Sequence, residues 1–191
     1  MKALDDYIEE AHRAYGHTCA GQILGIRMAL LGLKELGVQD PVRERKRLVT
    51  VVEIDRCMTD AVQLVTGCRL GKRSLKFKDF GKVAATFVDL KTNRALRLVA
   101  KESSKQRARE LFPGLDNEEA QQRAYRELPD EELFSRQWVA VPLSPEDLPG
   151  YRGSRATCVQ CGEGINFGRE VQRDGRTLCR ACAGEAYFQP L

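Results

Sequence analysis

The apolar positions near the start of the chain predict two helices of different character. Residues 3–15 repeat apolar side chains at helical spacing up to Gly16, which indicates an amphipathic helix. From Gly21 to Leu36 the chain is apolar on nearly every side, as expected for a helix buried in a core or between subunits. Gly37 follows as a stop signal. The second helix is therefore predicted to be mostly buried.

Segments further along the chain have the composition of strands. Four of them alternate or concentrate β-branched and apolar residues, and they cover residues 47–54, 81–90, 94–101 and 136–142. Lys91-Thr92-Asn93 separates the second from the third, which predicts a hairpin. Helical segments with capping signals lie before the fourth strand. We therefore expect an α+β fold built on one antiparallel sheet.

The length of the chain limits the number of domains. A chain of 191 residues has room for one well-buried domain of roughly 140 residues and a small appendage. Periodicity disappears after residue 142, where Pro, Gly and Ser accumulate. We expect a core domain over 1–145, a linker over 146–157 and a small domain over 158–191.

The most specific chemical signal is a set of four cysteines in the predicted small domain. Cys158 and Cys161 form one CxxC pair, and after seventeen further residues Cys179 and Cys182 form another. This spacing is typical of a structural zinc site, and the segment has too few apolar residues to fold without such a crosslink. A turn at 174–175 between the pairs predicts a treble clef or zinc ribbon. Two redox-active CxxC pairs or free thiols are the less favoured alternative.

A second candidate cluster lies near two predicted helix starts. His17 and Cys19 directly precede the buried helix, and Cys57 begins a helix after the first strand. We expect these three residues to form a metal site, while Cys19, Cys57 and Asp60 are candidates for catalysis. Asp60 shares a helical face with Cys57. Cys68 lies one helix length from Cys57, about 16 Å, and is expected to be a buried thiol or a neighbour of the following loop.

Charge is distributed unevenly along the chain. The formal net charge is +4, but residues 69–82 carry six Lys or Arg against Asp79, whereas residues 110–132 carry eight acids. Lys72 and Lys78 are therefore candidate anion-binding residues, although lysines in such a loop are most often simply solvated.

The composition indicates a globular protein of a reducing compartment. No apolar run approaches the roughly 18 residues of a membrane span, and the acidic start is unlike a secretory signal. We expect a cytoplasmic protein without membrane contact. The seven cysteines, an odd number, then indicate metal binding or chemistry rather than disulfides.

Three segments together resemble the FmdE-like family, which takes its name from a component of formylmethanofuran dehydrogenase. They are GHTCAGQILGIRMA at 16–29, CMTDAVQLVTGCRLGK at 57–72 and DFGKVAATF at 79–87. The resemblance implies an α+β core in which the long helix packs on an antiparallel sheet, commonly as a dimer, and a treble-clef finger at the tail.

The same resemblance gathers His17, Cys19, Cys57 and Asp60 into a metal-binding or active site. Ala20 stands where the HxCPG form of the family has Pro. Formylmethanofuran dehydrogenase itself uses a molybdenum or tungsten pterin and iron–sulfur clusters on other subunits, and this chain lacks the many cysteines that such clusters need. The resemblance therefore implies an accessory protein rather than the redox enzyme.

Three hypotheses for the function follow. The first is an accessory zinc protein, homodimeric, whose core site keeps an open position for a small anion drawn by residues 69–82. The second is an enzyme that uses a metal-activated water or a Cys19 nucleophile beside His17. The third is a zinc-finger module that binds a protein or a nucleic acid. Six Arg against four acids in 151–191 is a weak excess, which favours a protein partner over nucleic acid.

Overall fold

The chain divides into two units, Met1–Pro142 and Leu143–Leu191, in a computed structural model that describes residues 2–44 and 46–191. Each unit has its own cluster of buried apolar side chains. We call Met1–Pro142 the core unit and Leu143–Leu191 the finger unit, and each is described by itself.

The core unit combines helices with one mixed sheet. The helices are Leu4–Tyr15 (α1), Ala20–Leu36 (α2), Cys57–Thr66 (α3), Ser103–Leu111 (α4), Asn117–Glu127 (α5) and Asp130–Leu133 (α6). The strands are Leu48–Val52 (β1), Leu75–Phe77 (β2), Ala84–Asp89 (β3), Arg94–Ala100 (β4) and Phe134–Val139 (β5). They lie in the order β2-β1-β3-β4-β5. The predicted α+β class, with a sheet against a long buried helix, is confirmed.

Strand β2 was not predicted, and it makes the sheet mixed. It pairs with β1 in parallel, whereas β1–β3, β3–β4 and β4–β5 are antiparallel. Helix α3 connects the two parallel strands, so β1, α3 and β2 form a βαβ unit. Only three residues long and set among lysines, β2 has no alternating pattern from which it could be recognised.

Two glycines allow α2 to approach its neighbours closely. A Cβ atom on Gly25 would lie 2.6 Å from the carbonyl oxygen of Met58 in α3, and one on Gly32 would lie 2.5 Å from the ring of Phe87 in β3. Both positions therefore require glycine because any side chain would collide with the neighbouring element, and not because the backbone conformation demands it. The predicted burial of α2 follows from these contacts. Within residues 2–44 and 46–191, no helix has the length and apolarity to cross a bilayer.

A buried ion pair joins the segment before β1 to the end of β3. The Nε and one terminal nitrogen of Arg47 each donate to a different carboxylate oxygen of Asp89, both at 2.9 Å. The hydroxyl of Thr92 and the amide of Lys91 also donate to this carboxylate. Chiefly through the Arg47 hydrogen bonds, these contacts lower the pKa of Asp89 to about 2. The ionised form of Asp89 therefore stabilises this part of the core unit.

The finger unit contains a single 3₁₀ turn at Pro145–Asp147, then two short hairpins and a helical turn. Its strands are Arg155–Thr157 (β6), Gly164–Asn166 (β7), Val171–Arg173 (β8) and Arg176–Leu178 (β9), and the helical turn covers Ala181–Glu185. Strands β8 and β9 turn at Asp174 and Gly175, as predicted, and both residues have positive φ (50° and 72°). The end of the segment that composition assigned to the linker forms β6, which pairs with β7.

Candidate metal centres

The core unit brings three predicted ligands together. One ligand atom each from His17, Cys19 and Cys57 lies within 4.8 Å of the other two. His17 lies in the connection between α1 and α2, Cys19 is the residue that caps the start of α2, and Cys57 is the first residue of α3. His17 is exposed, while both cysteines are half-buried. We call these three residues the core cluster.

Packing between α2 and α3 creates the core cluster. Gly25 allows the two helices to approach closely, and Gly21 lies beside both cysteines: a Cβ atom there would be in ordinary van der Waals contact, 3.7 Å from Sγ of Cys19 and 3.8 Å from Cβ of Cys57. Cys57 also follows the carboxyl end of β1 in the βαβ unit, the edge at which α/β folds commonly place binding sites.

A hydrogen bond determines which nitrogen of His17 is free. Its Nδ1 lies 3.1 Å from the carbonyl oxygen of Tyr15. Because a carbonyl oxygen can only accept, this contact favours the neutral tautomer with the proton on Nδ1, in which Nε2 keeps the lone pair that a metal requires. The hydroxyl of Tyr15 donates to the carbonyl oxygen of Asp60 at 3.2 Å, which ties α1 to α3 beside the cluster. His17 is thus oriented in the way that metal-ligating histidines usually are.

The thiol of Cys19 is more strongly affected by burial than by the helix end. Burial raises its pKa, and the neighbouring Cys57 raises it further, while hydrogen bonds from the amides of Gln22 and Gly21 act in the opposite direction. A position at a helix start by itself favours the thiolate, but burial has the larger effect here. The side-chain oxygen of Gln22 accepts the backbone N–H of Cys19 at 3.0 Å. This bond fixes the backbone of Cys19 at the start of α2.

Two residues of α5 contact the connection that carries His17 and Cys19. The carboxylate of Glu118 accepts the backbone N–H of Ala20 at 2.6 Å, and the amide of Gln122 donates to the carbonyl oxygen of Thr18 at 3.3 Å. Neither residue was identified from the sequence. They lie about a hundred positions from their partners, and the capping signal around Glu118 points only to the start of its own helix.

Other candidate residues lie outside the core cluster. The carboxylate of Asp60 belongs to neither group of ligand atoms found in the described ranges. Cys68 is buried, accepts a hydrogen bond from the hydroxyl of Thr50 at 3.4 Å, and has its pKa raised by burial. Lys72 precedes β2 and Lys78 follows it, so the two exposed lysines lie at opposite ends of that strand. The amide of Lys78 donates to Val52, at the carboxyl end of β1.

The finger unit gathers the four cysteines of the CxxC pairs. Ligand atoms of Cys158, Cys161, Cys179 and Cys182 all lie within 4.8 Å of one another. Hydrogen bonds from the backbone amides of Cys161 and Cys179 lower the pKa of Cys158 to about 6, which favours the thiolate that zinc binds. At Gly162 the backbone has positive φ (78°), and its N–H donates to the carbonyl oxygen of Cys158 at 2.9 Å. Four thiols at one point suit a closed tetrahedral zinc shell.

Two models of known families match this chain. The model described as "FmdE, Molybdenum formylmethanofuran dehydrogenase operon" matches residues 14–139, which include the whole core cluster. The chain belongs to the FmdE family. The model "Prokaryotic dksA/traR C4-type zinc finger" matches residues 152–188. Together with the four-cysteine cluster, this match supports a structural zinc ion in the finger unit of this FmdE-family protein.

Individual relatives show how far the likeness extends. A "Probable S-adenosyl-L-methionine-binding protein" of Archaeoglobus fulgidus is 34% identical over 201 aligned positions, covering 93% of this chain. The chain spans about half (52%) of the length of that relative. The crystal structure of a tungsten formylmethanofuran dehydrogenase FmdE-like protein from Syntrophus aciditrophicus has a TM-score of 0.65 at 23% identity and covers 98% of this chain and 96% of its own. At this level of sequence identity, the similarity to the Syntrophus structure shows that the two proteins share a fold and nothing more.

Proposed function

We propose that the core cluster is a second metal site and that the protein is an accessory metal-binding member of the FmdE family. The observation that carries this proposal is the convergence of one imidazole and two thiols within 4.8 Å. Nitrogen and sulfur donors suit zinc, and three protein ligands are the number that leaves one position for an exogenous ligand. A metal held in this way supplies an electrophile or an activated water, whereas a four-thiolate shell supplies only stability.

The charges around the core cluster support a small anion as the exogenous ligand. Two thiolates and a neutral imidazole balance the charge of a divalent ion, so the site itself does not repel an anion. The amides of Phe80 and Lys82 donate to the carbonyl oxygen of Glu53, four residues before Cys57. This arrangement ties the segment with Lys78 to the carboxyl end of β1 and makes Lys78 a better candidate than Lys72.

The family description supports a role in molybdenum or tungsten oxidoreductase metabolism of the formylmethanofuran dehydrogenase type. In this proposal the protein acts in the cytoplasm and contacts its partner through the finger unit. The order of CxxC pair, hairpin and CxxC helical turn supports a treble clef for that unit. The ligand named for the Archaeoglobus relative is not assigned to this chain, because nearly half of that relative's length lies outside the match.

A homodimer is also part of the proposal. Three apolar residues in or near the edge strand β2 are exposed, with 43% to 64% of their surface accessible: Leu70, Phe77 and Phe80. An edge strand with exposed apolar side chains is a common surface for self-association. Light scattering should give twice the 21.5 kDa chain mass, and Phe77→Lys should give a folded monomer. A monomeric wild type at micromolar concentration would contradict this part.

Metal analysis of the full chain tests the core site. Wild-type protein should bind two metal ions, and Cys19→Ala should bind one and remain folded, because the finger cysteines are untouched. Cys68→Ala is the matched control: it removes a core-unit thiol outside the cluster and should keep both ions. A ratio near one in the wild type, or an unchanged ratio in folded Cys19→Ala, would remove the core metal site.

Catalysis is the second candidate function, and the three-ligand arrangement favours it in the form of a metal-activated water. The nucleophile version is tested by iodoacetamide labelling of the folded protein without core metal, followed by peptide mapping. Labelling of Cys19 or Cys57 ahead of buried Cys68 supports a reactive thiol. Equal resistance of all three thiols argues against it.

A further inference from the structure

Two side chains of helix α5 hydrogen-bond to the backbone on both sides of Cys19. Glu118 accepts the N–H of Ala20, the residue after Cys19, at 2.6 Å. Gln122 donates to the carbonyl oxygen of Thr18, the residue before Cys19, at 3.3 Å, and to the carboxylate of Glu118 at 3.1 Å. The two side chains are one helical turn apart and bonded to each other, so they act on the connection as a pair.

Arg27 of α2 holds the end of α5 in place through several hydrogen bonds. From the middle of α2, Arg27 donates to the carbonyl oxygens of Tyr125 and Leu128 at 2.8 and 2.9 Å, and to the carboxylate of Asp130 at 2.6 Å. The end of α5 is thereby fastened to α2. Because α5 is one continuous helix, Glu118 near its start is held in a defined place relative to the start of α2.

The bond from Ala20 matters because of where it lies in α2. Ala20 is the first residue of α2, and the first N–H groups of a helix have no partner inside the helix. A carboxylate is the best acceptor for such a group, and its charge also favours a nearby cation. Cys19, directly before it, supplies a thiol to the core cluster. A shift of the Ala20 backbone would therefore move Sγ of Cys19.

We propose that Glu118 is a positioning residue of the core metal site, an inference that rests on the proposed function. Its carboxylate holds the start of α2, through the N–H of Ala20, in the place where Cys19 meets His17 and Cys57. Outer groups that orient metal ligands commonly change metal affinity 10–100-fold when they are removed. The same range is expected for Glu118.

The test is a competition titration of the core site with Co²⁺ in the full chain, with zinc kept in the finger. Glu118→Ala should weaken Co²⁺ binding about 10–100-fold and alter the thiolate–cobalt absorption bands. Glu118→Gln should recover most of the affinity, because its amide oxygen still accepts from Ala20. Glu119→Ala is the matched control: it removes an acid of α5 whose own N–H is bonded to Asp116, and it should bind as wild type.

Ala20→Pro isolates the hydrogen bond itself. Proline has no N–H, it is favoured at the first position of a helix, and the extended backbone of Cys19 (φ −124°, ψ 163°) suits a residue before proline. In the Ala20→Pro background, Glu118→Ala should cause no further loss of Co²⁺ affinity.

The outcomes separate this inference from the proposed function. If the wild-type core site binds no Co²⁺, both are wrong. If the wild type binds but Glu118→Ala binds equally well, or loses as much affinity in the Ala20→Pro background as alone, only the role of Glu118 is overturned.

Discussion

The finger unit and the core unit hold their clusters with very different amounts of apolar packing. In the described residues, the apolar cluster of the finger unit contains only Cys158, Ile165 and Leu178 as buried members, and one of these is itself a ligand. The core unit buries a large apolar cluster that includes most of α2 and four residues of α3. We therefore expect the finger unit to need its metal to fold, whereas packing alone forms the core cluster, so a metal proposed to bind there could exchange without unfolding the core unit.

The largest expected effect is the response of the two units to metal removal. A strong chelator should abolish the dispersed amide signals of residues 155–185 in a ¹H–¹⁵N spectrum while those of the core unit remain. The single tryptophan, Trp138, lies in β5, so its fluorescence reports on the core unit and should not change. Cys161→Ser should reproduce the finger signals of the chelated protein. A finger that keeps its dispersion without metal would contradict this comparison.

A second prediction concerns the contact between α2 and α3. Gly25→Ala places a methyl group 2.6 Å from the carbonyl oxygen of Met58, so the helices must separate. The free energy of unfolding should fall by about 1–3 kcal/mol, and the core site should lose metal while the finger keeps its own. Urea unfolding followed at Trp138 and metal analysis measure the two effects.

Gly32→Ala is the control for that prediction. It drives a methyl group to 2.5 Å from the ring of Phe87, on the sheet side of α2. The loss of stability should be similar, but α2 and α3 stay in contact and the core metal should remain. If both variants lose core metal to the same extent, general destabilisation explains the loss, and the helix contact has no special role.

The smallest effect is a pH dependence confined to the core unit. The hydrogen bonds from Arg47 lower the pKa of Asp89 to about 2, below the value near 3.9 of an unfolded Asp. The ionised carboxylate therefore stabilises the fold above about pH 4, and this contribution, about 2 kcal/mol, is lost as the pH falls from about 4 to about 2. Urea unfolding monitored at Trp138 should show the loss. Asp89→Asn should show a weaker pH dependence, and an unchanged one would contradict the assignment.

Local patterns in the sequence were sufficient for several features. The CxxC spacing predicted the finger cluster, and the helix starts at Cys19 and Cys57 predicted which side chains lie at helix ends. They did not reveal β2, because a short edge strand is defined by its partner β1 and not by its own pattern. Helical periodicity also could not show that Asp60, which shares a helical face with Cys57, lies outside the group formed by the ligand atoms of His17, Cys19 and Cys57.

The sequence alone determined helices α1 to α5 and most strands, the four finger ligands and the three candidate ligands of the core cluster. These depend on periodicity, capping and spacing, which act over a few residues. Only the tertiary structure decided that the starts of α2 and α3 meet, that Nε2 of His17 is the free nitrogen, and that Glu118 holds Ala20. Such contacts join residues far apart in the chain, and close packing of whole elements, not any local pattern, selects them.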